Sequence, residues 1–506
     1  MFKHESGILL HPTCLPGPYG IGDLGSHARR WIGVLRETRQ ALWQVLPLTP
    51  THASPYQSRS SFAGNPLLIS LDDLSQWGLL SDAELASAQL PHGQVDFAQV
   101  LEHKLPLLRR AAQRFLSRAA GADAEAFGHF KAQQRYWLDD FARYQALKSA
   151  HHQASWLDWP MDVRRRDKDT LRRVDRQMAE ELELERAIQF FFEKQWHALK
   201  TLAHQNGIRV VGDIPIFVAL DSADVWAAQH LFKLDPNGNP TKVAGVPPDY
   251  FSREGQRWGN PLYDWSAHIS SRFDWWCQRV QRTFEMTTLA RIDHFRGFAA
   301  CWEIPADEPT AVHGEWVPAP GRALFERLQE VFGRDLPILA EDLGTITDDV
   351  VELRDHFGFP TMRVLQFSFG GEVELLPHHF PKNCVAYTGT HDNDTTVGWY
   401  AGPVGDNSTL DPAAAESERH RVREYFRTDG SNIHWTCIRA LMAGSTDAVI
   451  FPWQDVLGLD SSARMNTPGT VGPHNWSWRF SWDQVPQSAL ETLQGITEAT
   501  GRNAPA

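Results

Sequence analysis

One short segment of the sequence contains an unusual density of chemically reactive side chains. Residues 289–298 begin as an apolar, strand-like run and then present Arg291, Asp293, His294 and Arg296 within six positions. A carboxylate so close to two guanidinium groups is expected to stay ionised. Asp293 therefore has the properties of a nucleophile or of a group that stabilises positive charge. A structural ion pair at the end of a strand is the alternative interpretation of the same residues.

Three further carboxylates follow predicted strands elsewhere in the chain, namely Asp213, Glu341 and Asp392. Carboxylates that are crowded together repel one another, so one of them is expected to be protonated near neutral pH. Glu341 follows the apolar run Pro337–Ala340 and has no basic residue nearby in sequence. It is therefore the candidate for a raised pKa and for the role of proton donor.

One ionised carboxylate paired with one protonated carboxylic acid is the arrangement that cleaves glycosidic bonds. The acid protonates the leaving oxygen, and the ionised partner stabilises or captures the anomeric carbon. Asp392, with His391 beside it, is expected to hold sugar hydroxyl groups. Metal-assisted hydrolysis is an alternative, because His294 and His391 are also possible metal ligands. It is disfavoured because no helical motif with two histidines is present and two arginines beside Asp293 would repel a cation.

Short apolar runs recur along the chain and alternate with segments of helical periodicity. This alternation is typical of a parallel sheet, and eight strands favour a closed (β/α)8 TIM barrel, with a doubly wound open sheet as the alternative. In a barrel the carboxyl ends of the strands meet at one face, so the four carboxylates are expected to surround one opening. The predicted strands are Gly7–Leu10, Trp43–Leu48, Ile208–Val211, Thr288–Ile292, Pro337–Ala340, Arg363–Phe367, Cys384–Tyr387 and Ala448–Phe451.

The periodicity also separates the barrel from its inserted parts. Residues 1–500 are interpreted as one catalytic barrel domain, interrupted after the second strand by a mostly helical insertion at residues 71–185. Residues 230–265 mix prolines with polar and aromatic side chains and are predicted to be an irregular loop insertion near the active site. A single long helix is predicted around Ser417–Ala443. The aromatic residues at helical spacing in the insertion are assigned to its core: Phe130, Trp137, Phe141 and Tyr144.

Composition limits the classes of partner and the cellular location. The formal net charge of −13 disfavours nucleic acid and anionic membranes, because a phosphate backbone requires a basic face. The five cysteines are scattered, odd in number and without metal-type spacing, which is typical of reduced thiols. The amino terminus lacks an apolar signal region, and no run approaches the length of a membrane span. The sequence therefore predicts a soluble cytoplasmic protein.

Several motifs together resemble the amylomaltases, the 4-α-glucanotransferases of family 77 of the glycoside hydrolases, which are relatives of the α-amylases. The similarity extends over nearly the whole chain, from about Gly7 to Trp478. It rests on the segments Arg291–Gly297, Ala340–Gly344, Thr390–Thr395, Ser54–Tyr56, Phe62–Pro66, Gly245–Trp265 and Asn466–Thr470.

The resemblance implies a retaining double-displacement mechanism and a barrel with inserted subdomains but no C-terminal β-sandwich. Asp293 matches the nucleophile of the family, Glu341 its general acid and base, and Asp392 its transition-state stabiliser. Arg291 matches the arginine that keeps the nucleophile ionised. The other matches are positions that bind sugar on the donor and acceptor sides: Tyr56, Asp213, Asp249, Gln256, Trp258, His294, His391 and Asn466.

The activity that the resemblance implies is transfer of α-1,4-glucan segments, with a maltooligosaccharide or starch-type glucan as donor and as acceptor. Transfer requires that an acceptor sugar reaches the covalent intermediate before water does. The loops Ser54–Pro66 and Gly245–Trp258 are candidates for the acceptor surface. An α-1,4-glucan hydrolase and a catalytically silent glucan-binding protein are the alternatives. The sequence indicates no metal or organic cofactor and leaves the oligomeric state and the preferred chain length open.

Overall fold

The residues that the structure describes form one parallel and one antiparallel sheet. The computed structural model describes residues 1–51, 53–248, 253–402 and 412–504. Within these ranges the strands are β1 Glu5–Leu9, β2 Leu42–Gln44, β3 Arg209–Ile214, β4 Lys242–Val246, β5 Gln256–Pro261, β6 Leu289–Ile292, β7 Ala300–Pro305, β8 Glu315–Pro318, β9 Ile338–Ala340, β10 Thr361–Val364, β11 Cys384–Tyr387 and β12 Ala448–Pro452.

The parallel sheet has the spatial order β10–β11–β12–β1–β2–β3–β6–β9, and each neighbouring pair in it is parallel. The two end strands then approach each other. The Ala340 N–H donates to the carbonyl oxygen of Pro360 at 3.2 Å, and the Asp342 carboxylate accepts from the Met362 N–H at 2.9 Å. The sheet is thus a near-closed barrel. This confirms the predicted (β/α)8 TIM barrel over the doubly wound sheet.

Helices connect the barrel strands and cover the outside of the barrel. In the first helix, Trp31 and Leu35 are buried whereas Arg29 and Arg30 are exposed, which is the pattern of a helix packed on a core. Within the described ranges, none of the helices combines the length and hydropathy needed to cross a bilayer. The helices are α1 Ser26–Glu37, α2 Leu71–Gln76, α3 Asp82–Ser87, α4 Phe97–Arg118, α5 Ala122–Gln133, α6 Arg135–Ala150, α7 Met161–Arg164, α8 Lys168–Gln177, α9 Ala179–Gln205, α10 Ala223–Ala227, α11 Trp265–Ser270, α12 Asp274–Met286, α13 Gly321–Phe332, α14 Asp348–His356, α15 Thr396–Ala401, α16 Pro412–Phe426, α17 Ile433–Met442, α18 Trp453–Val456 and α19 Gln487–Thr500.

Eight of these helices, α2 to α9, lie in sequence between β2 and β3. The long helix α9 continues past residue 185 to Gln205 and packs against α4 and α6. The aromatic residues assigned to the core of this segment are buried, which confirms that assignment: Phe130, Trp137, Phe141 and Tyr144. We propose that this helical segment is a subdomain inserted into the barrel.

Helix α9 also holds the loop that follows β2. The Gln189 side chain accepts from the Gly64 N–H at 2.8 Å and donates to the Gly64 carbonyl at 3.0 Å. Gln195 forms the same pair of bonds with Ser70, at 2.7 and 3.1 Å. Arg282 of α12 donates from Nε to the carbonyl oxygen of Phe62 at 2.9 Å. These bonds satisfy buried backbone groups outside any strand, so long-range contacts fix the position of the loop.

The second sheet corrects the prediction that residues 230–265 are irregular. This range contains β4 and β5, which pair in the antiparallel order β5–β4–β7–β8. The partners β7 and β8 lie beyond residues 289–298 in sequence, and pairing with a distant strand leaves little local pattern to recognise.

The prediction of one long helix at Ser417–Ala443 is also wrong, because the chain forms the two helices α16 and α17 there instead. Arg427 and Gly430 between them have φ values of 50° and 88°. This left-handed conformation ends a helix, and glycine adopts it without a steric penalty.

Candidate active site

The carboxyl ends of the barrel strands bring together the carboxylates that the sequence singles out. Asp213 lies near the end of β3, Asp293 and Glu341 directly follow β6 and β9, and Asp392 lies in the loop after β11. Strand β6 lies between β3 and β9 in the sheet. Asp293 therefore has one of the other carboxylates on each side.

Arg291 connects two of these carboxylates. Its Nη1 donates to the two oxygens of Asp213 at 2.9 and 2.8 Å, and its Nη2 lies 2.9 Å from Asp293 Oδ1. Burial alone would lower the pKa of Arg291, but Asp213 and Asp293 raise it well above its usual range. The guanidinium therefore places a permanent positive charge directly against the Asp293 carboxylate.

Glu341 lies on the β9 side of Asp293, whereas Asp213 lies on the β3 side. Its Oε2 accepts from the backbone N–H of His294 at 2.6 Å, and its Oε1 accepts from the N–H of Leu343 at 2.9 Å. Burial raises the pKa of Glu341 to about 7, with Arg291 opposing the rise and the charge of Asp293 supporting it. A carboxyl group with this pKa is partly protonated at neutral pH and is able both to donate and to accept a proton.

This raised pKa predicts a pH dependence for the reaction. Protonated Glu341 is the dominant form below pH 7 and is lost as the pH rises through the folded-state pKa of about 7. If Glu341 is the general acid, kcat/KM should fall above that pH, approaching about tenfold per pH unit at higher pH. Initial rates measured on a glucan donor across this range test the prediction. In Glu341→Gln the alkaline limb should disappear, and a flat wild-type profile from about pH 6 to pH 9 would contradict the assignment.

His294 shapes the space beside these two carboxylates. Its φ of 50° and ψ of 51° are left-handed, and this turn directs its backbone N–H at Glu341. Its ring meets the Trp258 ring edge-on, with 4.9 Å between centroids. Burial lowers the pKa of His294 to about 4, so the ring is neutral at physiological pH. Its buried Nε2 has no hydrogen-bond partner among the described residues, which suits it to a sugar hydroxyl group.

Asp392 faces the opening from the β11 side. Its Oδ1 accepts from Asn466 Nδ2 at 2.6 Å, and its Oδ2 lies 3.4 Å from His391 Nε2. The side chain is 43% exposed, so its carboxylate remains accessible to a ligand. The predicted residues Asp392, His391 and Asn466 are therefore brought together.

Tyr56 connects this group to the β3 side of the barrel. Its hydroxyl donates to Asp213 Oδ2 at 2.7 Å. Its ring stacks on His391, with 5.2 Å between centroids and 14° between planes. The ring of Trp476 lies 5.7 Å from that of Tyr56 and 5.8 Å from that of His391. Together these rings form an aromatic wall beside the carboxylates.

The remaining predicted residues lie on β5, where Trp258 borders the centre through His294, or lie outside the described residues. Gln256 and Trp258 lie together on β5, where Trp258 Nε1 donates to Gln256 Oε1 at 3.2 Å. Asp249 lies outside the described residues. Arg296 donates to the carbonyl of Thr345 and stacks on Trp316, so the expectation that both arginines adjoin Asp293 is corrected. The left-handed turn at His294 reorients the chain between Asp293 and Arg296.

Two residues of the site were not identified from the sequence. Trp476 contributes to the aromatic wall, and Arg464 donates from Nη2 to the backbone carbonyl of Asp392 at 2.7 Å. The available signal was their proximity in sequence to the motif that begins at Asn466. Spacing alone did not show which of the neighbouring side chains face the barrel.

The sequence is similar to those of known proteins over almost its full length. A family model described as 4-alpha-glucanotransferase matches residues 10–485. A 4-alpha-glucanotransferase from Thermus thermophilus is 46% identical over 508 residues, which cover 98% of this chain and 98% of that protein. One from Streptococcus pneumoniae serotype 4 is 43% identical over 504 residues, covering 98% of this chain and 97% of the relative.

Solved structures share the fold. The amylomaltase from Streptococcus agalactiae in complex with acarbose matches with a TM-score of 0.93 at 37% identity, covering 99% of both chains. The amylomaltase from Corynebacterium glutamicum matches with a TM-score of 0.79 at 17% identity, covering 99% of this chain and 75% of the other. At that identity the second match shows the fold alone.

Proposed function

The chain belongs to the 4-α-glucanotransferases, family 77 of the glycoside hydrolases, and transfers segments between α-1,4-glucans; we propose that it does so by a retaining double displacement at Asp293. The observation that supports this mechanism best is the pairing of Asp293 with Arg291 beside Glu341, whose pKa is raised to about 7. One carboxylate is paired with a permanent positive charge while its neighbour is partly protonated at neutral pH, an arrangement that suits a retaining glycosidic mechanism.

In the first half-reaction the donor glucan is cleaved. Glu341 gives its proton to the glycosidic oxygen as the bond from that oxygen to the anomeric carbon breaks. Asp293 attacks the anomeric carbon from the opposite face, forming a covalent glycosyl ester. The shorter glucan leaves with the proton from Glu341.

In the second half-reaction the ester is transferred to the acceptor. Glu341, now a carboxylate, takes the proton from the 4-hydroxyl group at the non-reducing end of an acceptor glucan. The acceptor oxygen attacks the anomeric carbon, and Asp293 leaves as a carboxylate. Two successive inversions restore the α-configuration, and both catalytic groups return to their starting protonation states.

The other residues of the site bind and orient the sugar ring. Asp392 is accessible, and we assign it to the hydroxyl groups whose hydrogen bonds strengthen as the ring distorts in the transition state. His294 and His391 face the same space, and burial keeps the His294 ring neutral. Tyr56 fixes Asp213 through its hydroxyl group and presents an aromatic ring to the substrate.

Transfer dominates over hydrolysis when the acceptor side excludes water. On that side we place Gln256 and Trp258, which lie on β5 of the antiparallel sheet. Trp258 packs edge-on against His294 next to the nucleophile, which places an apolar surface beside the ester. The rigid loop Ser54–Pro66 forms the opposing wall, held by α9 and α12.

Maltotriose distinguishes transfer from hydrolysis. The purified protein should convert it to glucose together with chains longer than the substrate, because each cleaved segment is passed to another glucan. Chromatography of the products gives the chain lengths, and a reducing-end assay on the same samples serves as the control. Transfer leaves the number of reducing ends constant. Products no longer than maltotriose with a rising number of reducing ends would indicate a hydrolase, and unchanged maltotriose would indicate a binding protein.

We also propose a cytoplasmic location. All five cysteines are unpaired and buried, including Cys14 and Cys384. Burial raises the pKa of the Cys14 thiol to about 12, so it stays protonated and unreactive. Unpaired thiols are typical of reducing compartments. Fractionation of producing cells should recover the activity with cytosolic markers, and recovery in a secreted fraction would contradict this location.

A further inference from the structure

Arg464 joins two active-site loops through backbone carbonyl groups. Its Nη2 donates to the carbonyl oxygen of Asp392 at 2.7 Å, and its Nε donates to the carbonyl oxygen of Asn466 at 2.7 Å. Asn466 in turn donates from Nδ2 to the carboxylate of Asp392 at 2.6 Å. The three residues form a closed ring of hydrogen bonds between segments that are far apart in sequence.

The base of the Arg464 side chain is itself fixed against the Asp392 loop. Arg464 ends the short 3₁₀ turn Ser461–Ala463, and its backbone N–H donates to the Ser461 carbonyl at 3.1 Å. The Ser461 hydroxyl donates to Asp394 Oδ2 at 2.7 Å. The segment at residues 461–466 is therefore tied to the loop after β11 at three points.

We propose that Arg464 is a positioning residue for Asp392, because it fixes the backbone from which the Asp392 carboxylate reaches the sugar ring. The proposal rests on the proposed function, in which Asp392 stabilises the transition state. Both hydrogen bonds of the guanidinium described above go to carbonyl oxygens. They leave the carboxylate of Asp392 to Asn466, His391 and the substrate, so Arg464 orients the group without occupying its oxygen atoms.

A guanidinium is suited to this task because it presents several donors in one rigid plane. A lysine ammonium is a compact charge on a flexible stem, and its rotatable donors do not hold two carbonyl groups in one fixed plane. Arg464→Lys should therefore restore only part of the effect of Arg464, whereas Arg464→Met removes both hydrogen bonds while keeping most of the apolar stem.

The expected signature is a loss in kcat with little change in KM. A misplacement of about 1 Å at a reacting group costs on the order of 10²-fold in rate. In Arg464→Met we expect kcat for maltotriose disproportionation to fall about 10²-fold and KM to change less than about threefold, since Asp392 acts mainly in the transition state. Arg464→Lys should lie between Arg464→Met and the wild type, and it provides the test if the methionine variant does not fold.

Arg479→Met is the matched control. Arg479 is also half-buried and donates to two backbone carbonyls, those of Leu15 at 3.4 Å and Gly17 at 2.8 Å, in a segment other than the Asp392 loop. This variant loses the same kind of bond, so we expect its kcat to stay within about threefold of wild type. A loss equal to that of Arg464→Met would show a general effect on the fold and would overturn the proposal.

A double-mutant cycle with Asp392→Ala completes the test, using α-maltosyl fluoride as a reactive donor so that residual rates are measurable. If Arg464 acts through Asp392, Arg464→Met should cost little in the Asp392→Ala background. The same fold-loss in both backgrounds would refute the positioning role. A wild-type rate in Asp392→Ala alone would instead refute the proposed role of Asp392, so the two failures are distinguishable.

Discussion

Replacing Asp293 with asparagine is expected to lower kcat by about 10⁴-fold or more, because the side chain can no longer form the glycosyl ester. The fold should survive the change. Asparagine has nearly the shape of aspartate, and Arg291 keeps its two hydrogen bonds to Asp213 at 2.9 and 2.8 Å. The buried cation is therefore not left without a partner, which is the usual cause of large destabilisation. Steady-state rates on maltotriose and a thermal unfolding curve measure the two effects separately.

Asp224→Asn is a suitable control for that experiment. Asp224 is another buried carboxylate, in helix α10, and it accepts from the Ser61 N–H at 2.7 Å. Among the described residues, the groups that act on its carboxylate are Ser61 and Arg279. We expect its loss to reduce kcat by less than about tenfold, as a single buried hydrogen bond is altered. If Asp293→Asn kept about a tenth of the wild-type rate, Asp293 would not be the nucleophile.

Glu341→Gln is expected to produce the second large effect, and the size of that effect should depend on the leaving group. On maltotriose we expect kcat to fall about 10³- to 10⁴-fold, because no group protonates the departing glucan or activates the acceptor. With α-maltosyl fluoride the departing fluoride needs no proton. Formation of the covalent ester should then be much less affected than its transfer to an acceptor, so the ester should accumulate. Rapid-quench measurement of fluoride release gives the rate of the first step.

The comparison between the two donors distinguishes an acid/base role from a structural one. In a purely structural role, the Glu341 carboxylate would only hold the N–H groups of His294 and Leu343 in place. Its replacement would then slow the reactions of both donors equally. Glutamine retains one oxygen for these bonds but cannot exchange a proton. Equal losses with both donors would therefore remove Glu341 from the role of general acid and base.

The barrel was predictable from the sequence because its determinants are local. A buried parallel strand is a short apolar run, and the predicted Cys384–Tyr387 coincides with β11. The carboxylates were predictable for the same reason, since Asp293 and Glu341 directly follow such runs and the fold directs the ends of parallel strands to one face. The difference between their environments was also visible, as Arg291 precedes Asp293 whereas apolar residues precede Glu341.

What could not be predicted depends on contacts between distant parts of the chain. The pairing of β4 with β7 brings together two strands that are separated in sequence by residues 289–298. Arg296 was expected beside Asp293, but the left-handed backbone of His294 turns it towards Trp316. Arg464 has no motif of its own, and its hydrogen bond to the Asp392 carbonyl becomes apparent only once the two loops are folded against each other.

The most direct test of the mechanism is to identify the residue that is glycosylated. Glu341→Gln is incubated with α-maltosyl fluoride, quenched in acid and digested, and the peptides are sequenced by mass spectrometry. A maltosyl group attached to the carboxylate of Asp293 is the predicted result, together with products of α-configuration when an acceptor is added to the unquenched enzyme. A maltosyl group on any other residue, or products of inverted configuration, would contradict a double displacement at Asp293.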